Sequence, residues 1–159
     1  KNMNKFLYAL IGLFFTSLAA ADGHSIPKSG TFSWHTGWVG QNIKVVTLAE
    51  DHIQGMGIWT GAVFNNKNTG ALHRGPANCV GTFEVKGGVG QNKGYCSFGD
   101  EAGDMIFTSF TGDTAKGTNT ITGGTGKYAG ITGSGPWECK DIGKNGENVC
   151  KQSLTYKLP

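Results

Sequence analysis

Basic residues are scarce in this chain, and they do not cluster. Arg74 is the single arginine among 159 residues, and charged residues make up 16% of the sequence. The lysines are spread singly along the chain. Nucleic-acid binding usually requires a concentrated patch or stripe of Lys and Arg that neutralises phosphates. The composition therefore argues against nucleic acid as a partner.

Several catalytic and metal-binding motifs are also missing. The sequence has no G-x-S-x-G segment of the kind that positions a nucleophilic serine. Its "GGTGKY" segment lacks the first glycine and the final Ser or Thr of a phosphate-binding loop. The histidines, at positions 24, 35, 52 and 73, form no H-x-x-x-H pair, and only His52 follows carboxylates in the sequence. We predict no metal site and no cofactor.

One uninterrupted apolar run stands near the start of the chain, at residues 6–15. Basic residues precede it and alanines up to Ala21 follow it, a pattern typical of a cleaved secretory signal peptide. The run is shorter than the roughly 20 residues that a membrane span needs. We predict that residues 1–21 are removed and that residues 22–159 form a single domain without a membrane span, secreted or periplasmic. The alternative is a retained N-terminal anchor.

The four cysteines predict two local disulfides in an oxidising compartment. Cys79 and Cys96 flank a glycine-rich loop between two strand-like runs, and Cys139 and Cys150 flank an Asn-Gly turn. In each case the two cysteines fall at matching positions across a hairpin. The alternative, a zinc site, normally pairs its cysteines two to four residues apart, and no C-x-x-C occurs here.

The rest of the sequence predicts strands rather than helices. After the apolar run, no amphipathic pattern is longer than two helical turns, and short runs rich in Thr, Val, Ile and aromatics alternate with Gly and Asn clusters. Eight or nine strands at such spacing predict an all-β sandwich or barrel, and a closed barrel removes exposed strand edges. The runs are residues 31–39, 43–50, 56–64, 79–86, 93–98, 104–111, 118–122, 131–141 and 149–158.

The second cysteine pair fixes the register of the last hairpin. If Cys139 faces Cys150, then Trp137 faces Gln152, Gly135 faces Leu154 and Gly133 faces Tyr156. Alternation along a strand puts these large residues and glycines on one face, as in a narrow barrel interior. Pro136 cannot donate to the ladder, so it predicts a bulge or a strand end.

Several segments resemble one known family. "ITGGTGKYAGITGSG", with "GDMIFTSFTG", "GTFEV" and "GYC" before it, is similar to secreted bacterial members of the allene oxide cyclase barrel-like superfamily. The G-G-[TS]-G-x-[YF] turn also resembles that of plant allene oxide cyclases and dirigent proteins. The resemblance implies an eight-stranded antiparallel β-barrel with an axial hydrophobic cavity, and a homo-oligomer that is a trimer in plant relatives. The segment from Gly123 to Gly126 would turn the chain.

Aromatic residues are the candidates for a ligand site, although each of them is equally suited to core packing. Tyr128, within the turn motif, is expected to plug a barrel end. Asp104 is the candidate catalytic acid, with a turn residue that accepts backbone hydrogen bonds as the alternative. Glu84 and Glu138 fall on the face opposite the aromatics and are expected in solvent. The candidate ligand-binding residues are Trp59, Phe83, Phe107, Trp137 and Tyr156.

Three functions are compatible with these observations. A barrel that binds a small apolar molecule predicts a cavity lined mainly by aromatics. A cyclase or isomerase that acts on an oxylipin-like or phenolic substrate also requires an ionisable group with a displaced pKa inside that cavity. A structural or interaction protein predicts a barrel that side chains fill completely. We favour the ligand-binding barrel and leave enzymatic activity open.

Overall fold

The described residues, 25–159 of a computed structural model, form a closed barrel of eight antiparallel strands. Each strand pairs with the next along the chain, and β1 closes the barrel against β8, which confirms the predicted fold class. The predicted signal peptide, residues 1–21, lies outside the described residues. The strands are β1 (Ser29–Ala49), β2 (His52–Asn65), β3 (Arg74–Lys86), β4 (Val89–Asp100), β5 (Met105–Gly112), β6 (Lys116–Gly124), β7 (Thr132–Asp141) and β8 (Glu147–Lys157).

The barrel has eight strands, and not nine, because the first two predicted segments form a single strand. The prediction of separate strands at residues 31–39 and 43–50 is wrong, since β1 runs through both. Gly40 is not a turn residue: the Trp59 indole occupies the space where a Cβ of Gly40 would lie. A β-bulge between Asn42 and Lys44 in the pairing with β2 absorbs the irregularity instead.

The predicted register of the last hairpin is confirmed. Cys139 faces Cys150, Trp137 faces Gln152 and Gly133 faces Tyr156, and both predicted disulfides are formed. The ladder between β7 and β8 is interrupted between Ser134 and Trp137 and then resumes in the same register. Pro136 lies in this gap because it has no N–H to donate. Because β7 continues past Pro136 in an unchanged register, the prediction of a bulge or a strand end at this residue is wrong.

Glycines on the inner face lie beneath aromatic rings. A Cβ added to Gly112 or Gly117 would meet both the neighbouring backbone and the Trp137 ring. The same arrangement recurs across the barrel, so small residues make room for large ones within a narrow interior. The other pairs of this kind are Gly30 with Tyr156, Gly40 and Gly57 with Trp59, Gly55 with Phe83, Gly61 with Trp38, and Gly81 and Gly94 with Phe110.

One end of the barrel, which we call the closed end, is filled by side chains. The buried Phe32 and Tyr156 rings stack with centroids 4.1 Å apart, and the fully buried Tyr128 meets Phe32 edge-on at 6.0 Å. Tyr128 belongs to the single 3-10 helix of the described residues, Gly126–Tyr128, which follows β6. The expectation that Tyr128 plugs a barrel end is confirmed. None of the helical structure between residues 25 and 159 is long and apolar enough to cross a membrane.

At the opposite end, which we call the open end, β1 extends beyond its neighbour β8. The pairing of β1 with β8 stops at Val39, and Gly40 N–H donates to the Gly146 carbonyl of the β7–β8 turn at 2.8 Å. Beyond this point, β2 is the one strand of residues 25–159 that pairs with β1. Residues 41–49, which we call the free edge, therefore have one side without a strand partner.

Candidate ligand-binding cavity

An interior cavity of about 160 Å³ lies toward the open end of the barrel. All eight strands contribute to its wall, because residues of one parity along each strand point inward. Both disulfides lie in this wall, on the β3–β4 side and on the β7–β8 side. Its aromatic lining consists of Trp38, Trp59, Phe98, Phe110 and Trp137.

A chain of buried polar side chains crosses the barrel interior beside the cavity. Asn119 Nδ2 donates to Gln152 Oε1 at 3.1 Å, and Gln152 Nε2 donates to Thr36 Oγ1 at 2.8 Å. Thr108 Oγ1 donates to Asn119 Oδ1 at 3.4 Å, so the chain links β5, β6, β8 and β1. Buried polar groups are tolerated only when they are hydrogen-bonded, and these four satisfy one another.

Replacing Gln152 with Leu tests this polar chain. The substitution leaves the Asn119 amide without its acceptor and the Thr36 hydroxyl without its donor in a buried site. We expect the free energy of unfolding to fall by about 2 kcal/mol, as measured by urea denaturation. Lys151→Gln, at the neighbouring exposed position, should change it by less than about 0.5 kcal/mol; equal losses in the two variants would contradict the buried role.

Two polar atoms in the cavity lining lack partners within the protein. The indole Nε1 of Trp137 and the amide Oδ1 of Asn92 are buried and make no hydrogen bond. One is a donor and the other an acceptor. An unsatisfied buried polar group costs roughly 1–3 kcal/mol. A bound molecule that carries a complementary group would recover part of this cost.

The lining contains little charge. Asp141 is the one carboxylate among the residues that line the cavity, and it is exposed next to the β7–β8 turn. Thr114, in the turn between β5 and β6, lies at the mouth of the cavity. Its methyl group occupies the space where a Cβ of Gly90 would lie. The cavity is therefore mainly apolar, with neutral amides and one rim carboxylate.

The candidate acid Asp104 lies far from this cavity, at the closed end. It directly precedes β5, and its Oδ2 accepts from Lys127 N–H at 3.2 Å and lies 3.6 Å from Lys127 Nζ. The carboxylate also occupies the space over Gly126, whose φ of +52° favours glycine. These contacts match the alternative reading of Asp104 as a turn residue that accepts a backbone hydrogen bond.

Asp100, which sequence reasoning missed, is the central acid of the closed end. Its Oδ2 lies 2.6 Å from Lys127 Nζ and accepts from Tyr128 Oη at 2.8 Å, while its Oδ1 accepts from Ala102 N–H at 2.9 Å. Burial raises the pKa of the Asp100 carboxyl, but these hydrogen bonds outweigh it and the pKa is lowered. Burial and the Asp100 contact raise the pKa of Tyr128, so its phenol remains protonated.

The five predicted ligand-binding residues divide into two groups. Trp59 and Trp137 line the cavity, whereas Tyr156 packs in the closed end and Phe83 lies over Gly55 beyond the cavity. Phe107 is on the outer surface, 38% exposed, because it pairs with the outward-facing Ser97 and β5 turns the opposite parity inward. Phe107 thus cannot line the interior cavity. Ligand binding by Trp59 and Trp137 stays a prediction.

The predicted acids Glu84 and Glu138 lie on the outer face, as expected. Glu84 accepts hydrogen bonds from His52 Nε2 at 2.6 Å and from Gln54 Nε2 at 3.1 Å. These hydrogen bonds, that of Gln54 foremost, lower the pKa of Glu84. Neither glutamate contributes to the cavity.

Two solved structures have a fold similar to that of this chain. A structure of pyocyanin demethylase superposes with a TM-score of 0.51 at 19% identity, covering 77% of this chain and 99% of the other. A pterocarpan synthase dirigent protein superposes with a TM-score of 0.50 at 12% identity, covering 83% of this chain and 92% of the other. This is a dirigent-like barrel. No family model and no curated protein sequence matches this chain, so the likeness is one of fold alone.

Proposed function

We propose that this dirigent-like barrel is an exported protein that binds one small, mainly apolar molecule in its interior cavity. Export is supported by the predicted signal peptide at residues 1–21 and by two disulfides, which persist in oxidising compartments. The observation that carries the binding proposal is the cavity itself, with its five aromatic side chains. Two structural neighbours are named for a small molecule, pyocyanin in one case and pterocarpan in the other.

The volume of the cavity sets the size of the ligand. An engineered cavity of roughly 150 Å³ in another protein stays dry and binds benzene. The cavity here, about 160 Å³, matches one six-membered ring with a short substituent. A hydroxyl on that ring would complement the Trp137 N–H as an acceptor or the Asn92 Oδ1 as a donor. A single-ring phenol is therefore the ligand class that we propose.

The same lining favours binding over catalysis. A cyclase or isomerase needs an acid or base that reaches the reacting atoms inside the cavity. The rim residue Asp141 is the one carboxylate of the lining, and the other polar groups are amides, indole N–H groups and a hydroxyl. A space large enough for a ring likewise favours a binding protein over a structural barrel that is filled throughout.

Phenol binding tests the proposal. We expect phenol to raise the melting temperature and to shift the indole N–H signals of Trp59 and Trp137 in NMR spectra. A ligand at about 100 times its Kd stabilises the native state by roughly 2.7 kcal/mol, which corresponds to several degrees in Tm. Benzene should bind more weakly, because it cannot pair with the Trp137 N–H.

Two variants localise the effect. Thr114→Trp places a large ring at the cavity mouth and should abolish the phenol shift, whereas Thr118→Trp, exposed on β6 of the same hairpin, should retain it. Trp137→Phe should reduce the preference for phenol over benzene. An equal phenol shift in wild type and Thr114→Trp would place binding elsewhere, and an absence of any shift or signal change with both probes would refute the proposal.

A further inference from the structure

The mouth of the cavity carries one carboxylate, and this carboxylate has no ion-pair partner within residues 25–159. Asp141 is the one acidic residue among those that line the cavity, and none of the lining residues is Lys, Arg or His. The ion pairs of this part of the chain involve other carboxylates, so no cationic side chain in it lies within 4.0 Å of the Asp141 carboxylate. Asp141 is also exposed. A charged group of a ligand that reaches the mouth would therefore meet a carboxylate that is not already paired.

The β7–β8 hairpin determines where this carboxylate lies relative to the aromatic side chains. Three of its cross-strand pairs line the cavity: Trp137 with Gln152, Cys139 with Cys150, and Asp141 with Asn148. Alternate residues of a strand share one face, so Trp137, Cys139 and Asp141 follow one another toward the β7–β8 turn at the open end. At about 3.4 Å per residue, the step from Trp137 to Asp141 covers roughly 14 Å of strand. A ring that lies beside Trp137 therefore leaves room for a short arm that ends at Asp141.

The lining favours a positive charge at the end of such an arm. Opposite charges attract, so an ammonium group would be drawn to Asp141 and a carboxylate group would be repelled. Aromatic faces add to this preference, because the face of a ring attracts cations, and tryptophan does so most strongly. Three of the five aromatic residues of the lining are tryptophans, Trp38, Trp59 and Trp137. A cationic arm thus suits this cavity better than a neutral or an anionic one.

We propose that the bound phenol carries a short alkylammonium arm, with its ring among the aromatic side chains and its ammonium group paired with Asp141. This inference rests on the proposed function, because it specifies the ligand of the same cavity. The ring hydroxyl pairs with the Trp137 N–H or with Asn92 Oδ1, neither of which has a hydrogen-bond partner among residues 25–159. The interior of the cavity selects the ring, and its rim selects the charge.

Three probes that share one ring and one hydroxyl test the charge of the arm. Tyramine ends in an ammonium group, 4-ethylphenol in a methyl group and 4-hydroxyphenylacetate in a carboxylate. The full chain, produced in an exporting host, is titrated with each probe by isothermal titration calorimetry at neutral pH and low salt. Because exposed ion pairs contribute modestly, we expect tyramine to bind roughly three- to fivefold more tightly than 4-ethylphenol. The carboxylate probe should bind most weakly, and high salt should remove the advantage of tyramine by screening the exposed charges.

Variants of Asp141 separate the charge of the mouth from its shape. In Asp141→Asn, the ratio of the tyramine affinity to the 4-ethylphenol affinity should fall to near one. Asp141→Lys should reverse the order of the charged probes, so that 4-hydroxyphenylacetate binds more tightly than tyramine, a gain that damage to the fold would not produce. Glu138→Gln is the matched control, because Glu138 is an exposed acid of the same strand on the outer face. It should leave the ratio as in wild type.

The outcomes distinguish the failure of this inference from the failure of the proposed function. If 4-ethylphenol binds and tyramine binds no more tightly, the ammonium arm is overturned and the phenol-binding barrel stands. The same conclusion follows if Asp141→Asn retains the wild-type ratio, or if Glu138→Gln lowers the ratio equally, since the overall charge of the protein would then explain the preference. If none of the three probes binds, the proposed function is refuted and this inference with it.

Discussion

Replacing Asp100 with Ala should lower the free energy of unfolding by about 4 kcal/mol. Breaking a buried ion pair by removing one partner leaves an uncompensated charge, which typically costs 3–5 kcal/mol. In the variant, the Lys127 ammonium, 14% exposed, and the buried Tyr128 hydroxyl both lose the Asp100 carboxylate. Chemical denaturation followed by tryptophan fluorescence measures the loss.

The pH dependence of stability provides a second readout for the same site. The pKa of Asp100 is lowered in the folded state, so the unfolded chain binds a proton more readily. The stabilisation is therefore complete above the unfolded value near 4 and is lost as pH falls through the lower folded value. Asp100→Ala should show a shallower loss of stability in acid than wild type. Asp104→Ala, 3.6 Å from Lys127 Nζ and partly exposed, should lose less than half as much stability; equal losses would contradict the central role of Asp100.

Replacing Gly133 with Ala should destabilise the barrel by about 4 kcal/mol. Gly133 has a φ of +147°, which L-residues rarely adopt, and a Cβ there would overlap the Thr155 carbonyl on β8. Backbone strain of this kind costs about 1–3 kcal/mol, and forced overlap in a packed site costs a similar amount. Thermal and urea unfolding of the variant measure the total.

Gly37→Ala is the matched control for Gly133→Ala. Gly37 lies on β1 with a negative or extended φ, and nothing lies within 4 Å of an added Cβ. The substitution should be neutral or should stabilise the strand by a few tenths of a kcal/mol, since glycine weakens strand interiors. If both variants lost the same stability, a general intolerance of β-strand glycines to substitution would explain the result, and the contact with Thr155 would not.

The disulfides and the last hairpin could be predicted from the sequence because their determinants are local. Cys139 and Cys150 lie close in the chain around an Asn-Gly turn, and one pair fixes the parity of every residue on both strands. The continuity of β1 could not be predicted in this way. It depends on Trp59, a residue of another strand that covers Gly40, and local propensity contains no information about that contact.

The candidate site was predicted only in part, for a related reason. Trp137 and Gln152 follow from the register of the last hairpin, and their inward position is confirmed. The inward parity of β5 could not be deduced from a local cysteine pair, so Phe107 was not placed on the outer surface. Asp100 was missed because it follows Gly99 at the end of a strand, where an acidic residue is typical of a turn. Its role depends on contacts with Lys127 and Tyr128, which are distant in the sequence.

The pairing of β1 with β8 also determines how the chain must fold. Seven of the eight strand pairs join neighbours in sequence, whereas Ser29 pairs with Lys157 from the other end of the described chain. Bringing such distant segments together carries the largest loop-closure entropy in the molecule, and non-local pairing is slow. The hairpins β3–β4 and β7–β8 are each held by a disulfide within a short loop. We therefore expect the disulfide-linked hairpins to form first and the open sheet to form next. The pairing of β1 with β8, which closes the barrel, should form last.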